Sequence, residues 1–154
     1  MALTDTDKLR KQRERDLPQW VDTMEAEVVQ LAEALKMSPP RELLDDPRTG
    51  LTMLDSLYEK EEVDATSSED ANWITSHLTA YVAVYLMKKY GGKWTVDADS
   101  RSGTYGRYVV ALTPPAGGTE VLLDVSEEVT DFLREESGRS LLRFIMKLQG
   151  QVAR

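Results

Sequence analysis

The chain has 154 residues, 41% hydrophobic and 30% charged, with a net charge of −8, one histidine and no cysteine. This composition predicts one globular domain with a substantial core and argues against wholesale disorder. The lack of cysteine excludes disulfides, thiolate nucleophiles and Cys-ligated zinc. No apolar run approaches the roughly 20 residues that a membrane-spanning helix needs. The N-terminal residues, MALTDTDKLRKQRERD, lack a signal-peptide core, so we expect a cytoplasmic protein that does not bind membranes.

The charges are unevenly distributed along the chain. Residues 1–16 hold five Lys/Arg and four Asp/Glu, whereas the remainder holds 14 basic and 23 acidic residues. We therefore expect residues 1–16 to form a charged arm that frays, and residues 17–154 to form a single domain. An acidic body of this kind repels nucleic acid and favours basic partners.

The first predicted helix begins near Asp16, because Pro18 suits the first turn of a helix. Apolar residues then recur every three or four positions and predict one buried stripe: Leu17, Val21, Met24, Val28, Leu31 and Leu35. The helix is expected to end before the sequence SPP at 38–40. Residues 43–50, LLDDPRTG, are typical of a linker, and residues 51–60 favour a short helix.

The densest acidic stretch spans residues 59–70 and is called the acidic segment below. It contains six carboxylates against one lysine, which predicts a solvated loop. Its first four carboxylates are candidate partner-binding residues: Glu59, Glu61, Glu62 and Asp64.

A long central helix is predicted over residues 69–90, where apolar side chains form a wide surface. Gly91 is expected to end it in the left-handed conformation, which glycine adopts without a Cβ clash. A phosphate-binding loop is disfavoured because no Gly-Lys-Ser/Thr follows and Gly91 closes a helix instead of opening one.

Three strands are predicted after this helix, over residues 93–98, 104–113 and 119–125, with Trp94 and Val96 facing inward. Their short connections favour an antiparallel meander. Ser126 is expected to cap the next helix, and a last helix is expected to bury Leu141, Leu142, Ile145 and Leu148. The predicted class is α+β: N-terminal helices, a long central helix, a three-stranded antiparallel meander, and C-terminal helices packed on one sheet face.

The other face of the sheet is predicted to be polar and solvent-exposed. It would carry the residues Lys93, Thr95, Asp97, Arg107, Glu120 and Asp124, with Tyr105 beside them. A mixed polar face with an aromatic ring is suited to protein recognition, although it is also normal for an exposed sheet. Tyr105 and Arg107 are therefore further candidate partner-binding residues.

No catalytic or metal-binding motif emerges from the sequence. His77 lies on the apolar side of the central helix and is expected to pack in the interior; one histidine excludes a His pair for zinc within the chain. The sequence DADSRSG at 97–103 places Arg101 at a ligand position of a calcium loop, so we interpret it as a turn. We predict no catalytic residue, no metal and no cofactor.

Residues 78–97, LTAYVAVYLMKKYGGKWTVD, together with the strands and helix that follow, resemble small bacterial domains of unknown function. In those domains a long helix runs into Gly-Gly-x-Trp and then a short meander. The resemblance implies a bacterial α+β domain with no established activity, and it transfers no catalytic residue.

These features predict a non-enzymatic, acidic interaction protein of the bacterial cytoplasm, of the immunity-protein, adaptor or secretion-chaperone type. Its partner is expected to be a basic protein, not nucleic acid, and the chain is expected to be a monomer or weak homodimer. Two alternatives stay open. One is a small enzyme that uses carboxylates and His77; the other is a nucleic-acid mimic with its acids arrayed on one continuous face.

Overall fold

A computed structural model describes residues 4–60, 68–135 and 140–153. Helices dominate these residues, and their bounds are α1 Asp5–Ala34, α2 Glu42–Asp45, α3 Leu51–Lys60, α4 Ser68–Tyr90, α5 Val125–Arg134 and α6 Leu141–Ala153, with a 3₁₀ turn at Pro47–Gly50. The strands are β1 Lys93–Val96, β2 Tyr108–Leu112 and β3 Val121–Leu123. The predicted α+β class is confirmed.

The three strands form one antiparallel sheet in the order β1-β2-β3, as predicted. Trp94 pairs with Val110, and Val110 pairs with Leu123, so these three side chains lie abreast on one face. All three are buried in the same core as the apolar residues of α1, α4, α5 and α6. The sheet thus contributes one face to a core that is otherwise helical.

Helix α1 begins at Asp5, so the predicted start near Asp16 is wrong. Thr4 caps the helix: its side chain accepts from the amide of Asp7, whose carboxylate accepts from the amide of Thr4. Such a capping box satisfies two amides that the first turn leaves free. Pro18 lies inside the helix, where its missing N–H removes a single backbone hydrogen bond. Residues 5–16 are therefore helical, in place of the expected frayed arm.

The N-terminal turns of α1 are held against the loop between β1 and β2. Arg13 donates from Nη1 to the carbonyl oxygen of Gly106 at 2.9 Å, and Tyr108 Oη donates to the carbonyl oxygen of Arg13 at 3.0 Å. Arg10 Nε donates to Tyr105 Oη at 3.0 Å. These contacts hold the turns before Pro18 in place. They could not be predicted from the charges of residues 1–16.

Helices α1 and α4 pack along each other in opposite directions. Gln30 contacts His77 in the first half of α4, whereas Val21 borders the same groove as Met87 near its end. Met24, Val28 and Leu31 of the predicted stripe are buried in this interface, and Leu17, Val21 and Leu35 are partly buried against the core. The helical period thus identified the correct face of α1.

Trp20 joins α1 to the sheet. Its ring stacks on Tyr108 with centroids 4.2 Å apart and meets Trp94 edge-on at 5.4 Å. Such pairs stabilise beyond the apolar area that they bury. The aromatic cluster of Trp20, Trp94 and Tyr108 therefore connects one helix to two strands.

Residues 43–50 form part of the core, so the linker prediction is wrong. Leu43, Leu44, Pro47 and Gly50 are buried. The buried hydroxyl of Tyr81 donates to the carbonyl oxygen of Pro47 at 2.7 Å, and burial raises the pKa of this tyrosine well above its usual range. The turn-forming residues specify a short α-helix followed by a 3₁₀ turn, which packs on α4.

Two details of the C-terminal half also differ from expectation. Asp124, not Ser126, caps α5, because its carboxylate accepts from the amide of Glu127 at 3.1 Å. In α6 Leu142 is 45% exposed, whereas Leu141, Phe144 and Ile145 are buried. The strip of inward-facing residues in α6 therefore lies to one side of Leu142.

Gly91 ends α4 as predicted, with φ of 68°. The amides of Gly91 and Gly92 both donate to the carbonyl oxygen of Met87, at 2.8 and 3.2 Å. Gly92 is needed for a different reason: a Cβ there would lie 2.3 Å from the carbonyl oxygen of Ala111 in β2. The double glycine therefore closes a helix and lets the chain pass close to the sheet.

We predict that Gly91→Ala lowers the free energy of unfolding by about 1 kcal/mol, because alanine is strained at positive φ. The matched control is Gly150→Ala, inside α6 and without a close neighbour, which should raise stability by about 0.5–1 kcal/mol. Urea unfolding of both variants measures the difference. Equal effects would contradict the role assigned to Gly91.

We also predict that Trp20→Ala lowers the free energy of unfolding by about 3 kcal/mol, because it removes both ring contacts from the core. Trp73→Ala, which removes a ring that is 41% exposed, should cost less than about 1 kcal/mol. Thermal and urea unfolding compare the two. A smaller loss for Trp20 than for Trp73 would contradict the importance of the aromatic cluster.

Candidate protein-binding site

The acidic segment runs from the end of α3 to the first turn of α4. Glu59 falls in the last turn of α3, while Glu61, Glu62 and Asp64 lie outside the described residues. Glu69 is exposed in the first turn of α4. A carboxylate at this end of a helix is favoured by the positive end of the helix dipole.

Trp73 is an exposed aromatic residue one turn after Glu69. Its side chain is 41% exposed, and its ring stacks on that of His77 with centroids 3.9 Å apart and planes 18° from parallel. Glu69, Trp73 and His77 are spaced four residues apart, so they follow one another along one side of α4. The stacking holds a large apolar ring in a fixed position at the surface, one turn after Glu69, which belongs to the acidic segment.

His77 supports this ring from the interior, where it is only 4% exposed. Its Nδ1 lies 2.7 Å from the carbonyl oxygen of Trp73, and its Nε2 lies 2.9 Å from Oε1 of Gln30 on α1. Both ring nitrogens therefore contact polar atoms of the protein. The expected packing role of His77 fits this geometry.

A second contact between α1 and α4 lies next to His77. Ser76 Oγ lies 2.6 Å from both carboxylate oxygens of Glu27. A serine hydroxyl that donates to a carboxylate forms a charge-assisted hydrogen bond, which is stronger than a neutral one. Ser76 and His77 therefore fix this part of α4 to α1 through two polar contacts.

Sequence analysis did not identify Trp73 as a candidate residue. The one sequence feature that places Trp73 with Glu69 and His77 is its position, four residues after the first and four before the second. The burial of a helical aromatic residue cannot be deduced from the period alone when apolar residues surround it on several sides, as in α4.

The structure separates Tyr105 from Arg107. Tyr105 Oη donates to the carboxylate of Asp7, a hydrogen bond that raises the pKa of Tyr105 and lowers that of Asp7. Arg107 Nη1 contacts Asp124 Oδ2 at 2.9 Å and Glu127 Oε2 at 3.2 Å, and the Asp124 carboxylate raises the pKa of Arg107. Tyr105 is bound to α1 and Arg107 to α5, and their role in partner binding stays a prediction.

Asp97 is buried, with 1% of its surface exposed, so its predicted place on a polar outer face is wrong. Its carboxylate accepts from the amide of Asp99 at 3.0 Å and from Thr104 Oγ1 at 2.5 Å. Burial alone would raise the pKa of Asp97, but hydrogen bonds from Ser102, Thr104 and the Asp99 amide bring it below its ordinary value. The residue organises the loop between β1 and β2.

The rest of that sheet face is not the open polar surface that was predicted. Thr95 and Lys93 pair with Val109 and Ala111, and both of these β2 residues are buried. The face therefore has a buried centre, and β2 begins at Tyr108 because residues 104–107 belong to the Asp97 loop. Lys93 remains exposed at the end of β1.

Neither a metal site nor a membrane-spanning helix is found in the described parts of the chain. Residues 4–60, 68–135 and 140–153 bring no three His, Asp or Glu side chains together as metal ligands. Within the same ranges, each helix is too short or too polar to cross a bilayer.

Comparisons with known proteins returned no match to a family model, to a curated protein or to a solved structure. The resemblance to small bacterial domains stays a prediction.

We predict that Asp97→Ala lowers the free energy of unfolding by about 2 kcal/mol at pH 7, since it removes hydrogen bonds to an ionised, buried carboxylate. The folded pKa of Asp97 is lowered from 3.8, so its stabilisation is present above pH 3.8 and is lost as pH falls through the lower folded value. Urea unfolding at pH 7 and pH 3 should show the difference from wild type shrinking at pH 3.

The control for Asp97 is Asp99→Ala, which removes a half-exposed carboxylate from the same loop and should change stability by less than about 1 kcal/mol. A loss for Asp97→Ala that stays the same at both pH values would show that the ionised form is not what stabilises the loop.

Proposed function

We propose that the chain is a non-enzymatic protein of the bacterial cytoplasm that binds a basic protein partner. Immunity proteins, adaptors and secretion chaperones have roles of this kind. The contact surface would comprise the acidic segment and Trp73. The single observation that carries the proposal is the exposed Trp73 ring, which is stacked on a buried His77 and follows the densest acidic stretch closely in the sequence.

Trp73 supplies a large apolar contact, which an acidic stretch alone lacks. Tryptophan is enriched among the residues that dominate binding energy, whereas exposed charges mainly affect encounter and specificity. His77 covers one face of the indole, so the exposed part of the ring lies away from it. An arginine or lysine of the partner could pack on this exposed surface as a cation–π contact.

The ring is also held in place before the partner arrives. His77 is hydrogen-bonded to Gln30 on α1 and to the backbone of α4, and Ser76 is hydrogen-bonded to Glu27. A side chain already fixed in its bound position loses less conformational entropy on association. This favours a binding role for Trp73 over that of an incidental surface residue.

The charge of the chain favours a basic partner. Six carboxylates within residues 59–70, in a chain of net charge −8, would attract a cationic surface and steer its approach. Salt shortens the range of this attraction, from about 10 Å at 0.1 M to about 3 Å at 1 M. Association should therefore be faster at low salt.

We predict different kinetic effects for the two parts of the surface. Affinity capture from the native host supplies the partner, and surface plasmon resonance measures both rates against salt. Replacing Glu59, Glu61, Glu62 and Asp64 by Gln or Asn should slow association about tenfold at low salt and flatten its salt dependence. Trp73→Ala should instead speed dissociation about tenfold or more, because it removes a buried contact of the complex.

The matched control neutralises four exposed acids elsewhere on the described surface: Asp22, Glu25, Glu33 and Glu120. It changes the net charge by the same amount but should leave the association rate within about twofold of wild type. Equal slowing by both sets would show that only total charge matters. Unchanged dissociation in Trp73→Ala would remove Trp73 from the interface.

A further inference from the structure

A groove of about 530 Å³ lies on the opposite half of α4, bordered by α1, α2 and β1. Its floor is apolar and includes Val21, Met24, Leu44, Ala80, Val84 and Trp94. The volume falls within the range of about 300–1,000 Å³ that small-molecule sites occupy. A floor of this kind favours a ligand with an apolar body, since a polar ligand would lose its hydration without gaining hydrogen bonds.

The rim of the groove carries three exposed cations, Arg41, Lys88 and Lys93. Among the described residues, none of the three lies within ion-pair distance of a carboxylate. The rim also has two acids, Glu25 and Asp45, so it carries one more cation than acid. This local excess stands out in a chain of net charge −8.

The cationic character continues beyond the groove. A neighbouring cavity of about 570 Å³ shares Asp45 and Lys88 with it and adds two cations, Arg48 and Lys89, and one acid, Asp46. Arg48 contacts Asp46 at 3.3 Å, while Lys89 lies over the ring of Tyr90. An anionic head group at the Lys88 side of the groove would therefore meet further positive charge.

We propose that this groove binds a single-chain anionic amphiphile, a linear alkyl carboxylate, with its chain along the apolar floor and its carboxylate at the cationic rim. Lysine and arginine make charge-assisted hydrogen bonds to carboxylates, which are stronger than neutral ones. Apolar chains are held in proportion to the area that they remove from water. The site is separate from the acidic segment and does not depend on the proposed partner.

Isothermal titration calorimetry with octanoate, decanoate and dodecanoate, each below its micelle concentration, tests the proposal on the full chain. We expect saturable binding of one molecule per chain, with affinity rising roughly tenfold for each two methylenes added. Decyltrimethylammonium has an alkyl chain one carbon longer than that of decanoate and the opposite charge, so its apolar chain alone would favour tighter binding. It should bind at least about tenfold more weakly, because the rim cations repel it.

Charge reversal at the rim supplies the second arm of the test. Lys93→Glu should weaken decanoate binding about tenfold or more, because it places a like charge beside the carboxylate. Lys11→Glu, which reverses another exposed lysine on α1 away from the groove, should leave the affinity within about twofold of wild type. Circular dichroism checks that both variants are folded.

Three outcomes would overturn the proposal. They are the absence of saturable decanoate binding to wild type, equal affinity for decanoate and decyltrimethylammonium, and equal weakening by Lys93→Glu and Lys11→Glu. The first would show that the floor is too shallow to hold a chain. The other two would show that the rim cations do not select the charge of the ligand.

Discussion

The position of helix α1 determines how the rest of this structure is held together. A sheet of three strands, each three to five residues long, cannot be stable unless another element covers one of its faces. Helix α1 supplies Trp20 to that face and, along its next turns, packs Met24 and Val28 in the shared core. One helix thus couples the sheet to the central helix.

Both proposed binding sites depend on this placement. Gln30 of α1 holds His77, which supports the ring of Trp73. Two turns earlier in the same helix, Val21 and Met24 form part of the groove floor. A displacement of α1 would therefore alter the exposed ring and the groove at once.

The elements that the sequence predicted well are those with a local physical cause. Helix α4 and its end at Gly91 follow from a long apolar pattern and from the freedom of glycine at positive φ. The misplaced elements depend on distant partners instead. Pro18 resembled a helix start because the docking of the preceding turns on Gly106 leaves no mark in the local pattern. Strand alternation predicted that Asp97 is exposed, but it is buried and accepts a hydrogen bond from Thr104, seven residues later. The exposure of Trp73 likewise depends on how α4 packs, so its spacing from Glu69 and His77 was not enough to predict it.

Part of the charge pattern on α4 follows from the helix dipole. Acids in the first turn of a helix and cations in its last turn stabilise the helix dipole, which accounts for Glu69, Lys88 and Lys89 without any ligand. The dipole does not account for Arg41 and Lys93, which lie outside α4 yet border the same groove. A 23-residue helix spans about 34 Å, roughly four Debye lengths at physiological salt. The acidic and cationic ends are therefore screened from each other, and a chain of net charge −8 can present opposite charge to two different ligands.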